Sequence, residues 1–477
     1  MQNRLFDKLK IDIAALINAG CMTALFGCAW LLFYSKNMFM PFSLVGHTFL
    51  LALFSIIYML CFSLYGTFKI SISRISELIY DQVLSLAITD GIMYIMIVLL
   101  CRNFQSIVPL FWIFVAQICV ALIWSMLIHK WYFDTHHPKR TIIIWDVRTR
   151  FSNLIATYGL EKRYHVVRQI HVSECLDNIG ECLDGMEAVF LSGIHSQDRN
   201  KIIKYCVMNN IDSYVIPRVG DTIMSAAKPI HLFHLPVMKV ERYCPSVLYT
   251  VLKRIGDIVV SGIALIVLSP LMLIVAIIIK ATDGGTVFYR QRRLTINGKE
   301  FYVLKFRSMR MDAEKDGVAR LSTGAADDRI TPIGRVIRAV RIDELPQLIN
   351  ILKGEMAIVG PRPERPEIAA EYEKQMPEFR LRLQAKAGLT GNAQVYGRYN
   401  TTPYDKLLMD LMYIAQPSMV EDLKICFATV KILFMPESTE GVQKGLRDNG
   451  GIEEDEAAGV TVPCQRGLCC DEYEYVL

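Results

Sequence analysis

Several familiar signatures are absent from this chain of 477 residues. No glycine-rich dinucleotide fingerprint follows the apolar run ending at Trp145, where the sequence continues Asp-Val-Arg-Thr-Arg. Without glycine the backbone cannot closely approach a pyrophosphate, which favours a structural or regulatory role over cofactor binding. The thirteen cysteines lack paired metal-ligand spacing, and Cys464, Cys469 and Cys470 have neither a neighbouring histidine nor a prenylation signature. These absences favour a reducing environment and argue against a metal-binding or lipidated tail.

Charged residues are scarce in the first 130 residues, where long apolar runs dominate. Four runs are each close to the roughly 20 residues that a helix needs to cross a hydrocarbon core. They cover residues 13–34, 42–65, 83–101 and 108–128. The first run is too long for a cleaved signal peptide, and three more follow it. The sequence therefore predicts an integral membrane protein whose residues 1–135 form a bundle of four transmembrane helices.

Basic residues in the connecting segments predict the orientation. They cluster before the first run, between the second and third, and after the fourth, at Arg4, Lys8, Lys10, Lys69, Arg74, Lys130, Lys139 and Arg140. The two alternate loops carry only Lys36 and Arg102. By the positive-inside rule, the N-terminus and everything after the fourth run are cytoplasmic.

Residues 136–245 have the pattern of a Rossmann-like α/β domain. Short apolar runs at 141–145, 165–170, 188–194 and 213–217 alternate with amphipathic stretches, among them a predicted helix at 200–210. This alternation is typical of a parallel sheet covered by helices.

A fifth apolar stretch, residues 255–279, differs from the first four. Ser269 and Pro270 interrupt its middle, and proline removes a helical hydrogen bond, so the helix is expected to kink or break. Cationic residues flank it on both sides, which is unusual for a spanning helix. We therefore predict a re-entrant helix that enters one leaflet and returns, with a kinked transmembrane helix as the alternative.

Candidate phosphate-binding residues follow in the predicted strand 301–309. Alternation places Val303, Lys305 and Arg307 on one face. Two cations on one strand face could hold phosphate, or could protect a solvated strand edge by their charge.

The segment 341–363 carries the strongest chemical signal. Asp343 and Glu344 precede a short amphipathic helix that Pro346 helps to start. Adjacent acids at a helix entry can act on phosphorus and on Mg²⁺, although acids there are also ordinary helix caps. About twenty residues later, prolines on both sides hold Arg362 rigidly, as bidentate phosphate binding requires, and Arg341 adds charge upstream.

Five ordered motifs resemble the bacterial sugar transferases, monotopic phosphoglycosyl transferases that move a sugar-1-phosphate from a nucleotide sugar to a polyprenyl phosphate. They are KRIGDIVVSGIALIVLSPLMLI (253–274), VFYRQRR (287–293), GKEFYVLKFRSM (298–309), RIDELPQLINILKGEMAIVGPRP (341–363) and AGLTGNAQVYGR (387–398). The apolar runs and the α/β segment match the large form of this family. The chain departs from it at Leu294 and Thr295, where many members have glycine.

The resemblance implies a ping-pong mechanism on the cytoplasmic face of a bacterial inner membrane. Asp343 would attack the β-phosphorus of a UDP-sugar, expel UMP and carry a covalent phosphosugar, which undecaprenyl phosphate then removes. Glu344 would ligate Mg²⁺, while Lys305, Arg307 and Arg362, with Arg341 nearby, would neutralise phosphate. The product would begin a repeat unit of exopolysaccharide, capsule or O-antigen.

The expected architecture therefore adds a mixed α/β, mainly helical catalytic domain over 246–435, with its re-entrant helix at 255–279. Residues 436–477 contain ten acidic and three basic residues and are predicted to form a disordered tail. The basic remainder suits membrane lipids and phosphorylated substrates, and it could also serve as nonspecific tethering. A non-enzymatic regulator or scaffold is the rival function, although the acid pair, the basic strand and the arginine turn are all present. A homodimer is possible, no nucleic-acid partner is expected, and the sugar is not specified.

Overall fold

A computed structural model describes residues 2–433, except 68–69, 72, 147–154, 156–159, 233, 311–328 and 398–400. The predicted disordered tail, 436–477, lies outside the described residues. By contact the chain divides into two compact units, Met1–Ile216 and Pro217–Leu477, and each is described by itself. Residues 217–245, which the sequence groups with the α/β domain, belong to the second unit.

Four long helices open the first unit: α1 (Gln2–Ala29), α2 (Leu44–Tyr65), α3 (Ile75–Cys101) and α4 (Val108–Thr135). A π-helical turn (Trp30–Tyr34) and a 3-10 turn (Ser35–Asn37) extend α1. Helix α3 begins eight residues before the predicted run because its polar first turns are helical but not apolar. With the fifth apolar helix described below, five described helices are long and apolar enough to cross a membrane.

A chain of polar side chains joins all four helices inside the bundle. Asn18 of α1 accepts a hydrogen bond from Tyr58 of α2 (2.7 Å) and donates to Gln82 of α3 (3.4 Å). Gln82 in turn donates to Ser125 of α4 (2.8 Å). Because the outward faces are apolar, these internal partners satisfy groups that lipid could not.

The first unit continues with the α/β fold that the sequence predicts. Its strands are β1 (Lys139–Trp145), β2 (Tyr164–His171), β3 (Ala188–Ser192) and β4 (Asp212–Val215). They form one parallel sheet in the order β2-β1-β3-β4. Helices α5 (Val172–Asp177), α6 (Ile179–Leu183) and α7 (Ser196–Met208) connect them, so the predicted parallel α/β architecture is confirmed.

The second unit begins with α8 (Val219–Ser225) and an exposed hairpin of β5 (Lys228–Leu232) and β6 (Leu235–Lys239). The long apolar helix α9 (Val247–Asp283) follows, then an antiparallel pair, β7 (Phe288–Leu294) and β8 (Glu300–Phe306). The remaining described α-helices and strands are α10 (Pro332–Ala339), α11 (Gln347–Lys353), β9 (Ala357–Val359), α12 (Pro366–Gln375), β10 (Gly388–Thr390), α13 (Asn392–Val395), α14 (Pro403–Ala415) and α15 (Met419–Leu433). Strands β9 and β10 pair in parallel.

Helix α9 does not end at Ser269 and Pro270: it is one α-helix that contains the proline, longer at both ends than the predicted 255–279. Pro270 cannot donate to the carbonyl of Ile266, but the Ser269 hydroxyl donates to that oxygen at 2.8 Å. An interruption of the helix is therefore not seen at this position. A change of direction and re-entry into one leaflet remain predictions.

Both halves of α9 pack on the same strand region of the second unit. Before the proline, Ala264 and Leu265 join a cluster that contains buried Val303 of β8. After it, Val275 and Ile279 are buried in a cluster with Phe306, three residues further along β8. Between these two contacts, Ile266 and Val267 are 76% and 67% exposed. The stretch of α9 between the two contacts, residues 266–271, is thus largely exposed, and we call it the apolar crest.

Candidate active site

Asp343 and Glu344 lie together in a 3-10 turn (Ile342–Glu344) directly before α11. Arg341 lies between α10 and this turn. Its φ is 55°, a left-handed backbone conformation that residues other than glycine rarely adopt. The resulting reversal directs Asp343 inward, where it is 9% exposed. The backbone N–H of Glu344 donates to the carbonyl of Arg341 at 3.3 Å and closes the turn.

The two carboxylates have different surroundings. Lys305 Nζ lies 2.9 Å and Arg362 Nη2 3.1 Å from the same atom, Glu344 Oε1. The carboxylate of Asp343 accepts no hydrogen bond within the described part of the chain. Glu344 is therefore paired with two cations, while the neighbouring Asp343 is buried and accepts no hydrogen bond from the described residues.

Charge and burial separate the pKa values of the pair. Burial alone would raise the pKa of Glu344, but Lys305 and Arg362 outweigh it and hold that pKa well below its usual range. For Asp343 burial prevails, so its pKa is raised although Lys305 and Arg338 oppose the shift. Two adjacent carboxylates that titrate apart are typical of sites where each acid has its own task.

Strand β8 and the turn after β9 supply the two cations. Lys305 is near the end of β8 and is half-buried, and Arg362 follows β9 with 43% of its side chain exposed. Arg341 is close enough to help lower the pKa of Glu344. The structure thus places Asp343, Glu344, Lys305, Arg341 and Arg362 near one another, and their roles in catalysis and in phosphate or metal binding stay predictions.

Arg307 occupies a different position from Lys305. It lies just beyond β8, is 7% exposed, and its backbone N–H donates to the carbonyl of Val287 at 2.9 Å. Its guanidinium packs against Gly285 so closely that a Cβ there would lie 2.0 Å from Arg307 Nη1. The side chain of Arg307 is therefore largely enclosed by protein, and its role in phosphate binding stays a prediction.

Two further arginines hold the turn that presents Arg362. Arg382 Nη2 donates to the carbonyl of Arg362 (2.9 Å) and forms an ion pair with Asp410 (2.6 Å). Arg293 donates to the carbonyl of Pro363 (3.0 Å) and pairs with Glu364 (3.2 Å). We call these four side chains the arginine clamp.

The arginine clamp is not among the predicted site residues. Asp410 is 1% exposed and lies between Leu407 and Leu411 on the buried face of α14. A carboxylate among core positions of an amphipathic helix signals a buried cationic partner. That signal was present in the sequence, but it does not identify Arg382 as the partner.

Mg²⁺ usually binds one or two carboxylates together with substrate phosphates. Both cations contact Oε1 of Glu344, which leaves Oε2 as a potential ligand beside the Asp343 carboxylate. In the described residues, no group of three or more His, Cys, Asp or Glu side chains could hold a metal ion by itself. The carboxylate oxygens of Asp343 and Glu344 suit a metal ion that is also bound by substrate phosphate, rather than one held by the protein alone.

Known proteins share the part of the chain that contains this site. Residues 248–436 match the family described as "Bacterial sugar transferase". A UDP-N-acetylgalactosamine-undecaprenyl-phosphate N-acetylgalactosaminephosphotransferase of Aeromonas hydrophila is 34% identical over 236 residues, 49% of this chain and 55% of that protein. The chain thus spans about half the length of this relative.

Two relatives are covered more completely. A UDP-glucose:undecaprenyl-phosphate glucose-1-phosphate transferase of Caulobacter vibrioides is 38% identical over 199 residues, 41% of this chain and 74% of that protein. The exopolysaccharide production protein PSS of Rhizobium leguminosarum is 42% identical over 189 residues, 38% of this chain and 94% of that protein.

Proposed function

Because the chain belongs to the bacterial sugar transferase family, we propose that it transfers a sugar-1-phosphate from a UDP-sugar to undecaprenyl phosphate. The names of its relatives support this donor and acceptor, and some name exopolysaccharide production. The observation that carries the proposal is the acid pair: a buried, uncommitted Asp343 beside a Glu344 that holds two phosphate-binding cations.

In the first step, an Asp343 carboxylate oxygen attacks the β-phosphorus of the UDP-sugar. A new P–O bond forms to Asp343, and the bond from that phosphorus to the bridging oxygen breaks, so UMP leaves with the electron pair. In the second step, a phosphate oxygen of undecaprenyl phosphate attacks the same phosphorus and restores the free carboxylate. Carboxylates are reasonable nucleophiles when nearby cations reduce the repulsion between anions.

The side chains around the pair have separate tasks in this proposal. Glu344 is ionised at physiological pH because Lys305 and Arg362 keep its pKa low. Mg²⁺ bound through Glu344 and the donor would supply further charge neutralisation at the diphosphate. When the donor enters, Lys305 and Arg362 exchange part of their contact with Glu344 for phosphate oxygens. The arginine clamp keeps Arg362 in place during this exchange.

We further propose that α9 is re-entrant and that the second unit lies on the cytoplasmic face of the inner membrane. The contacts of α9 support this, because residues on both sides of Pro270 pack on β8. A helix crossing the bilayer would carry its second half away from a domain on the first side. The exposed crest between the two contacts is the part that would enter the lipid.

A donor panel tests the reaction. Membranes containing the protein are incubated with undecaprenyl phosphate, Mg²⁺ and UDP-glucose, UDP-galactose or N-acetylated UDP-sugars, and UMP is measured. We expect one donor or a few to release UMP, and no release with any donor would contradict the proposal. With sugar-labelled donor and no acceptor, label should remain on the protein, and Asp343→Asn should abolish this while the surface control Asp198→Asn does not. Labelling that survives Asp343→Asn would place the covalent step elsewhere.

A further inference from the structure

A second concave site lies at the opposite end of α11 from Asp343 and Glu344. This cleft, with a volume of about 610 Å³, opens between the β7–β8 turn, the C-terminal end of α11 and the segment before β10. Its volume is in the range of small-ligand sites, about 300–1,000 Å³. None of the side chains assigned to the active site lines it. It is therefore a separate candidate for ligand binding, which we call the basic cleft.

Basic side chains predominate in the lining of the basic cleft. Its four basic side chains are Arg290, Lys299, Lys353 and Lys386. Its two acids are engaged by other side chains: Glu300 pairs with Arg292 at 3.4 Å, and Glu355 accepts a hydrogen bond from Asn350 at 2.6 Å. None of the four cations has an ion-pair partner among the residues that the structure describes. The basic cleft thus has an excess of positive charge.

Lys386 is the least solvated of these cations. It is half-buried, and burial lowers its pKa, with Arg254 and Lys253 adding to the effect and Asp257 opposing it. An ammonium group that is partly removed from water and has no carboxylate partner is unfavourable unless an anion joins it. The position of Lys386 therefore favours a ligand with negative charge.

The basic cleft lies beside the N-terminal part of α9. Arg254 of α9 donates to the carbonyls of Ile351 and Leu352 (2.7 and 2.8 Å), and its guanidinium lies against Gly354 in the cleft wall. Ile255, the next residue of α9, is 53% exposed and belongs to the apolar surface of that helix. If this surface enters the bilayer, the cleft is at the depth of the lipid headgroups.

We propose that the basic cleft binds a phosphate group at the membrane surface, and that an anionic phospholipid headgroup supplies it. The unpaired cations carry the preference for phosphate, which is independent of the catalytic activity. The lipid as its source rests on the proposed membrane placement of α9. An occupied cleft would hold the domain on anionic regions of the membrane beside its acceptor substrate.

Lysine footprinting of the full-length protein tests the proposal directly. The protein is reconstituted in phosphatidylcholine vesicles, with or without about one third phosphatidylglycerol, and its amines are acetylated briefly before mass spectrometry. We expect anionic vesicles to slow the modification of Lys353 and Lys386 severalfold, but not that of Lys374, an exposed lysine of α12. Equal rates in the two vesicle types would overturn the lipid as the source.

Two soluble ligands separate the remaining outcomes. With detergent-solubilised protein, inorganic pyrophosphate should protect Lys353 and Lys386, because the preference for phosphate does not require a bilayer. No protection by pyrophosphate or by anionic vesicles would overturn the site itself. Protection of both lysines by UMP at concentrations that saturate the active site would instead assign the cleft to the sugar-nucleotide donor.

A charge-removing variant provides a measurement that does not depend on acetylation. Lys353→Gln combined with Lys386→Gln should weaken the binding of soluble short-chain phosphatidylglycerol to the detergent-solubilised protein by about fivefold per charge, whereas Lys374→Gln should not. Because neither lysine touches the acid pair, UMP release in detergent should stay unchanged. An equal loss for Lys374→Gln would mean that general surface charge, rather than the basic cleft, attracts the lipid.

Discussion

At the residue scale, Asp343 should determine the pH dependence of the proposed reaction. A carboxylate that attacks phosphorus must be ionised, and burial raises the pKa of Asp343. UMP release should therefore fall as pH drops, at a pH above the value of about 4 expected for an ordinary aspartate. The ionisation of Glu344 does not affect the rate in this pH range, because its pKa is held low. The profile of kcat/KM against pH checks this, and an acid limb near or below pH 4 would contradict it.

The same burial makes Asp343 a cost to the fold. Its folded-state pKa lies above the unfolded value, so the ionised carboxylate destabilises the protein at neutral pH, and this loss disappears as pH falls through the raised pKa. Asp343→Asn should raise the melting temperature at neutral pH by roughly 2–4 °C, as about 1 kcal/mol does in a domain of this size. The gain should vanish at acid pH, and Asp198→Asn should show neither effect. A lower melting temperature for Asp343→Asn would show that its charge is stabilised.

At the element scale, the arginine clamp should control how well Arg362 is placed. Asp410→Asn leaves Arg382 buried without its carboxylate, which should cost about 3 kcal/mol and loosen the turn at 360–363. KM for the UDP-sugar should rise roughly tenfold or more, while the acid limb set by Asp343 stays in place. Steady-state kinetics and thermal melting measure both effects. Lost stability with an unchanged KM would limit the clamp to a structural role.

Ser269 and Pro270 of α9 allow a cleaner test by a double-mutant cycle. Ser269→Ala removes the hydroxyl bond to the Ile266 carbonyl and should destabilise the protein by about 1 kcal/mol. Adding Pro270→Ala returns a backbone N–H to that carbonyl, so Ser269→Ala should then cost much less. Thermal melting in lipid vesicles measures the cycle, and additive effects would show that the hydroxyl does not replace the missing donor.

The sequence predicts the elements that depend on residues close together in the chain, and it fails where the interacting residues are far apart in sequence. The apolar runs and the alternating strands of the α/β domain follow from local periodicity, and the structure has helices or strands at each of them. The acid pair and Arg362 were found because a short segment contains them all. Asp410 and Arg382 were missed because they meet through tertiary packing, at a separation of 28 positions in sequence.

The same limit explains the details at β8 and α9. Period-two alternation correctly gives Lys305 and Val303 the same face, but it assigns Arg307 to a strand that has already ended. A proline in an apolar helix predicts a lost hydrogen bond, and the continuous helix depends on a serine hydroxyl whose rotamer the pattern does not specify. A hydrogen bond from a side chain to a backbone carbonyl, such as that from Ser269 to Ile266, can be identified only in the folded chain.

At the scale of the whole molecule, the second unit should be catalytically sufficient. The relative from Rhizobium leguminosarum is matched over 94% of its length by only 189 residues of this chain. A truncated chain beginning at Pro217 should therefore release UMP at a rate within about tenfold of the full chain, given that compact units can fold independently. A truncated chain that binds vesicles and melts cooperatively, yet releases no UMP, would place part of the catalytic machinery in the first unit. Measuring the molecular mass of the full and truncated chains in detergent would also show whether either forms a homodimer.

The apolar crest of α9 has a consequence for kinetics. With the crest in the lipid, the acid pair stays at one height above the bilayer, and the acceptor reaches it by lateral diffusion alone. The rate then depends on the number of acceptor molecules per area of membrane, and not on their number per volume of solution. Adding plain phospholipid at constant amounts of enzyme and undecaprenyl phosphate should slow turnover by surface dilution, while adding buffer should not. Polysaccharide output would then depend on how crowded the membrane is with carrier lipid.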